Sequence, residues 1–559
     1  MKIAAPPGLQ NYFSVSRWQR EELALLLVLV LAVALRLPWM AQSLWYDEIS
    51  VTRNYLQNVF HLLDAWAFES NMPVHYTIMF FWDKLFPDTE FSLRFPPLLF
   101  GLVAIVISYQ IANTIFDRGI ALLTCLLLSI SPVHIWYSAE ARPYAGMMCF
   151  LLLAVLAFLK LQEPEALSAR ARLGWWSLYF LSLLLGTLSQ FYMAVPVVVL
   201  SGFAILQRKR ALTFLAMNSV ILLFLACFLW FKYRVAGDIP TGAFYLRPFS
   251  LWEAWLLFSN WYPTGNTLAR IGRRDTTGWR DLPLVSLCCQ LFVSALFVKG
   301  LAAALRERDR KRRRWGAMTV SLLFGIPLFL LAINAAGLRA SYVERSCYVA
   351  LPFFLMILAK GVLPAKHTSV SLLLLSGLLL LAGLSTVWFF RYPDSCAVAP
   401  CKADWRSAAS YLRSDIRNAG PKVAIVGLLT ERSLPYYDDR FADRVRLQRL
   451  RERLPRLEQM ASDIFGEDTA IVDAFKKEMR GIDRELERDN KEKIAVLSLV
   501  DVSRARPDSY DALYATETPS SRRGGQRLLQ WLRQHNYRLT EEQAFPALHI
   551  YKFERHRSG

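Results

Sequence analysis

The sequence predicts a polytopic α-helical membrane protein with a soluble α/β domain at its carboxyl end, and three observations predict it. Of 559 residues, 54% are hydrophobic and 20% charged, which is too apolar for a soluble chain of this size. The apolar residues gather in the first 390 positions, in runs of roughly 16 to 22 residues that as helices span a hydrocarbon core about 30 Å thick. The remaining positions mix charges with short apolar runs. Residues 1–390 are therefore expected to form the membrane domain and 391–559 an extracytoplasmic soluble domain.

The first segment, about 21–40, follows Arg17 and Arg20. It is too long for a signal-peptide core and lacks a small-residue cleavage site, so it is expected to stay as an anchor. Further spans are expected near 94–113, 119–137, 144–161, 175–190, 191–206, 212–233, 283–303, 316–334, 346–363 and 369–390, about eleven in all. With the amino terminus inside, the cytoplasmic loops become short and basic. They hold Arg118; Arg170 and Arg172; Arg208, Lys209 and Arg210; the run Arg306 to Arg314; and Lys366. Residues 72–86 are apolar but short and contain Asp83 and Lys84. Reading them as a span would invert every later loop, so they are expected as a helix in the outer interface, or re-entrant. The carboxyl terminus then lies outside.

The net charge of +19 sits largely in these loops as topology determinants. No DNA or RNA recognition motif accompanies it, so the expected partner is a lipid bilayer and not a nucleic acid. Of eight cysteines, Cys125, Cys149, Cys227, Cys288, Cys289 and Cys347 lie in or near apolar segments as small buried side chains. Cys396 and Cys401 follow the last span on the outer side, where a disulfide is plausible; two unpaired loop thiols are the alternative.

The outer face collects the residues that can carry chemistry. Asp47 and Glu48 are adjacent in Ser43-Leu44-Trp45-Tyr46-Asp47-Glu48-Ile49-Ser50, directly after the first span. The same loop holds Glu69, Asn71, His75 and Arg94, and the second outer loop holds Glu140 and Arg142. Group transfer to an alcohol needs a carboxylate to take the hydroxyl proton. It also needs positive charge, from arginine or a metal, to stabilise a leaving phosphate. Plainer readings stand beside these. The acidic pair can be a solvated cap, Glu140 and Arg142 a local ion pair before Pro143, His75 a packed interfacial residue, and Arg345 a headgroup anchor. Spacing alone leaves the function open.

The ordered set Ser43-Leu44-Trp45-Tyr46-Asp47-Glu48, Pro73-Val74-His75-Tyr76, Phe91-Ser92-Leu93-Arg94-Phe95-Pro96 and Ser138-Ala139-Glu140-Ala141-Arg142-Pro143-Tyr144 resembles the GT-C superfamily. Within it the set is similar to the protein O-mannosyltransferase and aminoarabinose transferase group, glycosyltransferase family 39. Arg345-Ser346-Cys347-Tyr348 and Lys402-Ala403-Asp404-Trp405-Arg406 resemble later segments of that family. The resemblance implies an inverting transferase that moves a sugar from a polyprenyl-phosphate carrier to a hydroxyl acceptor, at the outer face of the inner membrane. It implies Asp47 as catalytic base, Glu48 in support, and Glu140 positioning the acceptor or a divalent cation. Arg142 and Arg345 are implied for the lipid phosphate, with Arg94 a further positive charge for it. A cation, Mg²⁺ or Mn²⁺, would draw on Asp47, Glu140 and His75. The chain departs from the family at Asn71-Met72-Pro73-Val74-His75-Tyr76, where the histidine is displaced, and at Arg345-Ser346, which replaces an Arg-Tyr pair. The competing classes are a transporter or flippase of a lipid-linked saccharide, which would place its site at the midplane, and an oligosaccharyltransferase that moves a whole glycan.

The outer region 234–282 carries Tyr245, Trp252, Trp255, Trp261, Tyr262 and Trp279 among arginines. It is expected as a lid over the substrates or as an interfacial aromatic belt. In the tail, Trp405 to Arg417 and Gln526 to Gln534 read as helices, and Lys422 to Leu428, Lys493 to Val500 and His549 to Phe553 as strands. The charged stretch 440–493 reads as exposed helices joined to the sheet. This domain is expected to bind or orient a partner, or to stabilise the outer face.

Overall fold

The computed structural model describes residues 17–45, 47–49, 57–69, 73–163, 168–237, 249–266, 284–336, 344–363, 369–391, 404–416, 423–427, 434, 437, 444–465, 469–492, 495–497, 512–517, 537–545 and 548–555. The expectations for Asn71, the Cys396–Cys401 pair, the helix at 526–534 and most of the 234–282 loop lie outside them.

Helix α1 (Arg17–Met40) leads into two short helices of the loop that follows it, α2 (Val59–Phe68) and α3 (Pro73–Leu85). Then come α4 (Glu90–Ile115), α5 (Arg118–Ile130), α6 (Pro132–Ser138), α7 (Tyr144–Leu161), α8 (Ala169–Thr187), α9 (Ala194–Gln207) and α10 (Ala211–Ala236). A short α11 (Leu251–Leu256) runs into a π-helical turn at Leu257–Trp261. The bundle closes with α12 (Leu284–Leu305), α13 (Arg310–Ala335), α14 (Leu351–Val362) and α15 (Ser369–Arg391).

Among the described residues eight helical stretches are long and apolar enough to cross a membrane, and the bent pair α5–α6 makes a ninth. The chain is thus a multi-pass membrane protein. Every one of the expected spans is helical, but α8 and α9 fall outside these nine by composition and length, although they run between the α3 end at Leu188 and the Arg314 end at Gln207. α8 opens with Arg170 and Arg172, and α9 has 14 residues, short of a hydrocarbon core. α2 and α3, with 10 and 13 residues, are likewise too short to cross. The bend of 64° between α5 and α6 falls at Ser131-Pro132. Proline lacks an N–H and disfavours helical backbone before it, so Ser131 turns extended and its hydroxyl caps α6 at His134 N. α12 and α14 cross closely because Gly300 and Gly361 let backbone meet backbone. A Cβ on either would run into a carbonyl of the other helix.

The far ends of these helices meet where the charge pattern puts the cytoplasm. Lys311 pairs with Glu163, Lys360 Nζ lies 2.9 Å from Glu307, and Arg314 donates to Gln207. Of the cysteines, Cys125, Cys149 and Cys347 are buried as expected. Cys227 and Cys288 are instead exposed on outward helix faces.

The tail holds α16 (Trp405–Ile416), β1 (Val423–Gly427), α17 (Arg444–Phe465), α18 (Ala470–Glu492), β2 (Ala495–Leu497), β3 (Ala512–Glu517), β4 (Tyr537–Phe545) and β5 (Leu548–Arg555). They form one sheet of order β2-β1-β3-β5-β4, with β1 parallel to β2 and β3 and β5 antiparallel to β3 and β4. β4 is missing from the sequence reading because an edge strand is free to be polar, as its Thr540, Glu541, Glu542 and Gln543 are. The α17–α18 hairpin also differs from expectation. Its apolar side, with Leu447, Leu450, Leu454 and Phe475, packs on Ala67 of α2 and Val235 of α10. Arg453 pairs with the buried Asp64 of α2 at 3.3 Å.

Candidate active site

The loop after α1 is held by one ion pair. Glu48 and Arg94 are both fully buried, and the guanidinium grips the carboxylate at two points, Nε to Oε1 at 2.8 Å and Nη2 to Oε2 at 2.6 Å. The rest of Arg94 donates to the carbonyls of Trp39, Met40 and Gln42 through Nη1 and of Ser43 through Nη2. All five N–H groups of Arg94 are thereby engaged. Glu48 also accepts from the amides of Trp45 and Ala141. This corrects two expectations. Arg94 has no N–H left for a phosphate, and Glu48 fastens the two outer loops together from beneath instead of facing a substrate.

Asp47 points the other way. Its side chain is 26% exposed, with Oδ2 3.4 Å from Arg345 Nη1 and 3.9 Å from Arg142 Nη2. Arg142 also donates to the Asp47 carbonyl at 3.4 Å. Both guanidinium groups stand over the Tyr144 ring, at 6.0 Å for Arg142 and 5.9 Å for Arg345. One carboxylate, two arginines and an aromatic floor thus come from three separated stretches of chain, around Asp47, Arg142–Tyr144 and Arg345. Arg345 lies in the first turn of the 3₁₀ segment Glu344–Ala350 and is 31% exposed, against 8% for Arg142.

Glu140 lies in the same place but is buried, and its Oε1 accepts from the Trp45 indole N–H at 3.2 Å. The two acidic motifs therefore interlock, Trp45 to Glu140 and Glu48 to Ala141. His75 is buried beside them and its Nε2–H donates to the Ala141 carbonyl at 3.2 Å. Burial, then the charge of Arg142, pushes this imidazole down to about 3, so it is neutral at physiological pH. Among the described residues no three His, Cys, Asp or Glu side chains gather as metal ligands. In this arrangement Glu140 Oε1 and His75 Nε2 are engaged by the Trp45 indole and the Ala141 carbonyl.

Beside Arg142 a narrow, mostly apolar crevice runs between α3, α4 and α7, lined by Val74, Ile78, Pro97, Phe100 and Phe150, with His75, Arg142 and Ser189 as its polar members. Pro96 and Pro97 in α4 and Gly146 in α7 leave the room for it.

The tail domain closes this end of the bundle. Tyr437 receives the Leu44 N–H at 2.6 Å and the Ser43 hydroxyl at 3.0 Å. Trp405, Ala408 and Leu412 of α16 share one apolar cluster with Leu44, Ile49, Leu93 and Ala141. The acidic loop is thus clamped between Arg94 below and α16 above. Trp405→Ala is expected to cost about 3–5 kcal/mol of docking, seen as faster proteolysis of the tail with the bundle intact. No tail residue foreshadows Tyr437, whereas the Asp404-Trp405-Arg406 segment stood out in the sequence.

The architecture is a multi-pass bundle whose paired acidic motifs meet under an α/β domain. The chain is similar over residues 70–232 to the dolichyl-phosphate-mannose-protein mannosyltransferase family. In structure it is similar to ArnT from Cupriavidus metallidurans bound to undecaprenyl phosphate, with TM-score 0.50 at 15% identity, covering 96% of this chain and 98% of that one. The apo form of the same protein gives TM-score 0.52 at 13% identity, over 94% and 97% of the two chains. The oligosaccharyltransferase AglB from Archaeoglobus fulgidus gives 0.46 at 12% identity, over 76% of this chain and 64% of that one. No curated protein sequence matches the chain.

Proposed function

We propose that the chain is a glycosyltransferase that moves a sugar from a polyprenyl-phosphate carrier to a hydroxyl acceptor, with inversion, at the outer face of the inner membrane. The observation that carries this reading is the partly exposed Asp47 carboxylate between Arg142 and Arg345, with Arg142 lining a narrow apolar crevice. A polyprenyl chain loses about 0.8 kcal/mol per methylene on leaving hydrocarbon, so its phosphate must be met at headgroup level. Arg142, which lines the crevice, together with Arg345 across Asp47, suits that phosphate, and ArnT in the similar structure is bound to undecaprenyl phosphate. In the proposed step the acceptor oxygen attacks the anomeric carbon, and its proton goes to Asp47. The bond to the phosphate oxygen breaks, and the phosphate leaves with both electrons into the field of Arg142 and Arg345. Glu140, held by Trp45, shapes the acceptor side. The acidic groups crowd one end of the bundle, which favours this over a flippase with a midplane site.

Purified protein in nanodiscs, given defined polyprenyl-phosphate sugars and hydroxyl acceptors, should release one polyprenyl phosphate per sugar transferred. Arg345→Gln should raise the donor KM about 10-fold, the scale of one charge-assisted contact. Chelation with EDTA should leave the rate unchanged, as two arginines supply the positive charge. Sugar transfer without carrier release, or no dependence on carrier, contradicts the reading.

A further inference from the structure

Inside the apolar run of α1 stands one charged side chain, Arg36, and it is fully buried. A buried guanidinium is tolerated only when its N–H groups are bonded. One bond stays within α1, from Nη1 to the Ala32 carbonyl at 2.7 Å. The others all reach the bent pair α5–α6. Nη1 donates to the Ser129 carbonyl at 3.1 Å, Nε to the Ser138 hydroxyl at 2.7 Å, and Nη2 to His134 Nδ1 at 2.5 Å. In an unbroken helix the Ser129 carbonyl would accept from the residue four further on. The break at Ser131-Pro132 interrupts that ladder, and Arg36 supplies an N–H there. Because a guanidinium keeps its proton, His134 must accept through Nδ1.

α6 is confined from its other side as well. A Cβ on Gly101 of α4 would overlap the Ser138 side chain and come within 3.5 Å of the His134 ring. Between the Arg36 fork and the Gly101 backbone, α6 has little freedom to turn or slide. It ends at Ser138, two residues before Glu140 and four before Arg142.

We propose that Arg36 is a positioning residue for the site: from within the bundle it fixes α6, and so sets where Glu140 and Arg142 stand against Asp47. Its kinetic consequence rests on the glycosyl-transfer reading; its structural one does not. Two readouts therefore run side by side in nanodiscs, on wild type, Arg36→Gln, Arg36→Lys, Gly101→Ala and Gly101→Ala/Ser138→Gly. Hydrogen exchange follows the amides of Ala141 and Arg142, which bond to Glu48 and to the Glu140 carbonyl. Turnover is measured per folded molecule. Arg36→Gln should speed exchange at those amides, and lower turnover, by about 10-fold or more, the scale of a small misplacement of reacting groups. Exchange in α12 and α14 should stay as in wild type. Arg36→Lys keeps the charge without the fork and should recover only part of the loss. Gly101→Ala pushes α6 from the opposite side and should reproduce the defect; Ser138→Gly in the same chain removes the clash together with the Arg36 Nε acceptor, and should relieve it only in part. If Arg36→Gln does not fold, the glycine pair decides. Folded Arg36→Gln or Gly101→Ala with wild-type exchange at Ala141 and Arg142 overturns the proposal, as does loosened exchange with wild-type turnover. A wild type that transfers no sugar ends the glycosyl-transfer reading alone, and the exchange arm still decides Arg36.

Discussion

Asp47→Asn is expected to lower kcat at least ~100-fold, the effect of removing a general base, while the donor KM stays the same or falls. Asparagine fills the same space but accepts no proton at neutral pH. The side chain is partly exposed and engages two arginines, so its loss should leave the fold intact. Without the carboxylate, Arg142 and Arg345 lose their counter-charge and are freer to hold a phosphate. The split between kcat and KM is therefore diagnostic, and steady-state transfer at varied donor concentration reads it. Wild-type turnover in the variant would remove Asp47 from the mechanism.

The largest effect on stability is expected at Arg94 and Glu48. Removing one member of a buried ion pair costs about 3–5 kcal/mol, because the other is left charged and unpaired. Arg94→Leu and Glu48→Gln should both unfold at clearly lower temperature and yield little monodisperse protein. Replacing a buried pair by apolar residues is often neutral, but the double change Arg94→Leu/Glu48→Leu should not recover here. Arg94 also serves four carbonyls from Trp39 to Ser43, which the double variant leaves without donors. Thermal unfolding followed by fluorescence separates the cases. A stable Arg94→Leu that loses only donor affinity would return Arg94 to the phosphate and contradict the structural role.

The membrane domain was legible because apolar runs and basic loops are properties of the sequence itself. The meeting of Asp47, Glu140, Arg142 and Arg345 was anticipated from outer-face placement and family resemblance. What the sequence concealed were pairings. Nothing in the order of residues tells which carboxylate takes Arg94, and the reading that sent it to a phosphate follows from charge alone. Glu48 and Asp47 are neighbours with opposite roles because successive side chains leave the loop on different sides. Tyr437 lies almost 400 positions from Leu44 and carries no local signal. Arg36 was open to view, a lone charge inside a span, yet its meaning depends on the α5–α6 bend, which Ser131-Pro132 only hints at.

A carrier lipid bound for glycosyl transfer must sit with its phosphate at Arg142 and Arg345. A polyprenyl phosphate bearing a photoreactive group on its first isoprene unit, irradiated with the protein in nanodiscs, reports this by mass spectrometry of the labelled peptides. Label should fall on Ile78, Pro97, Phe100 or Phe150, be competed by unlabelled carrier, and weaken in Arg142→Gln and Arg345→Gln. Competed label concentrated at the opposite helix ends, near Glu163 and Lys360, with none around the crevice, would contradict it.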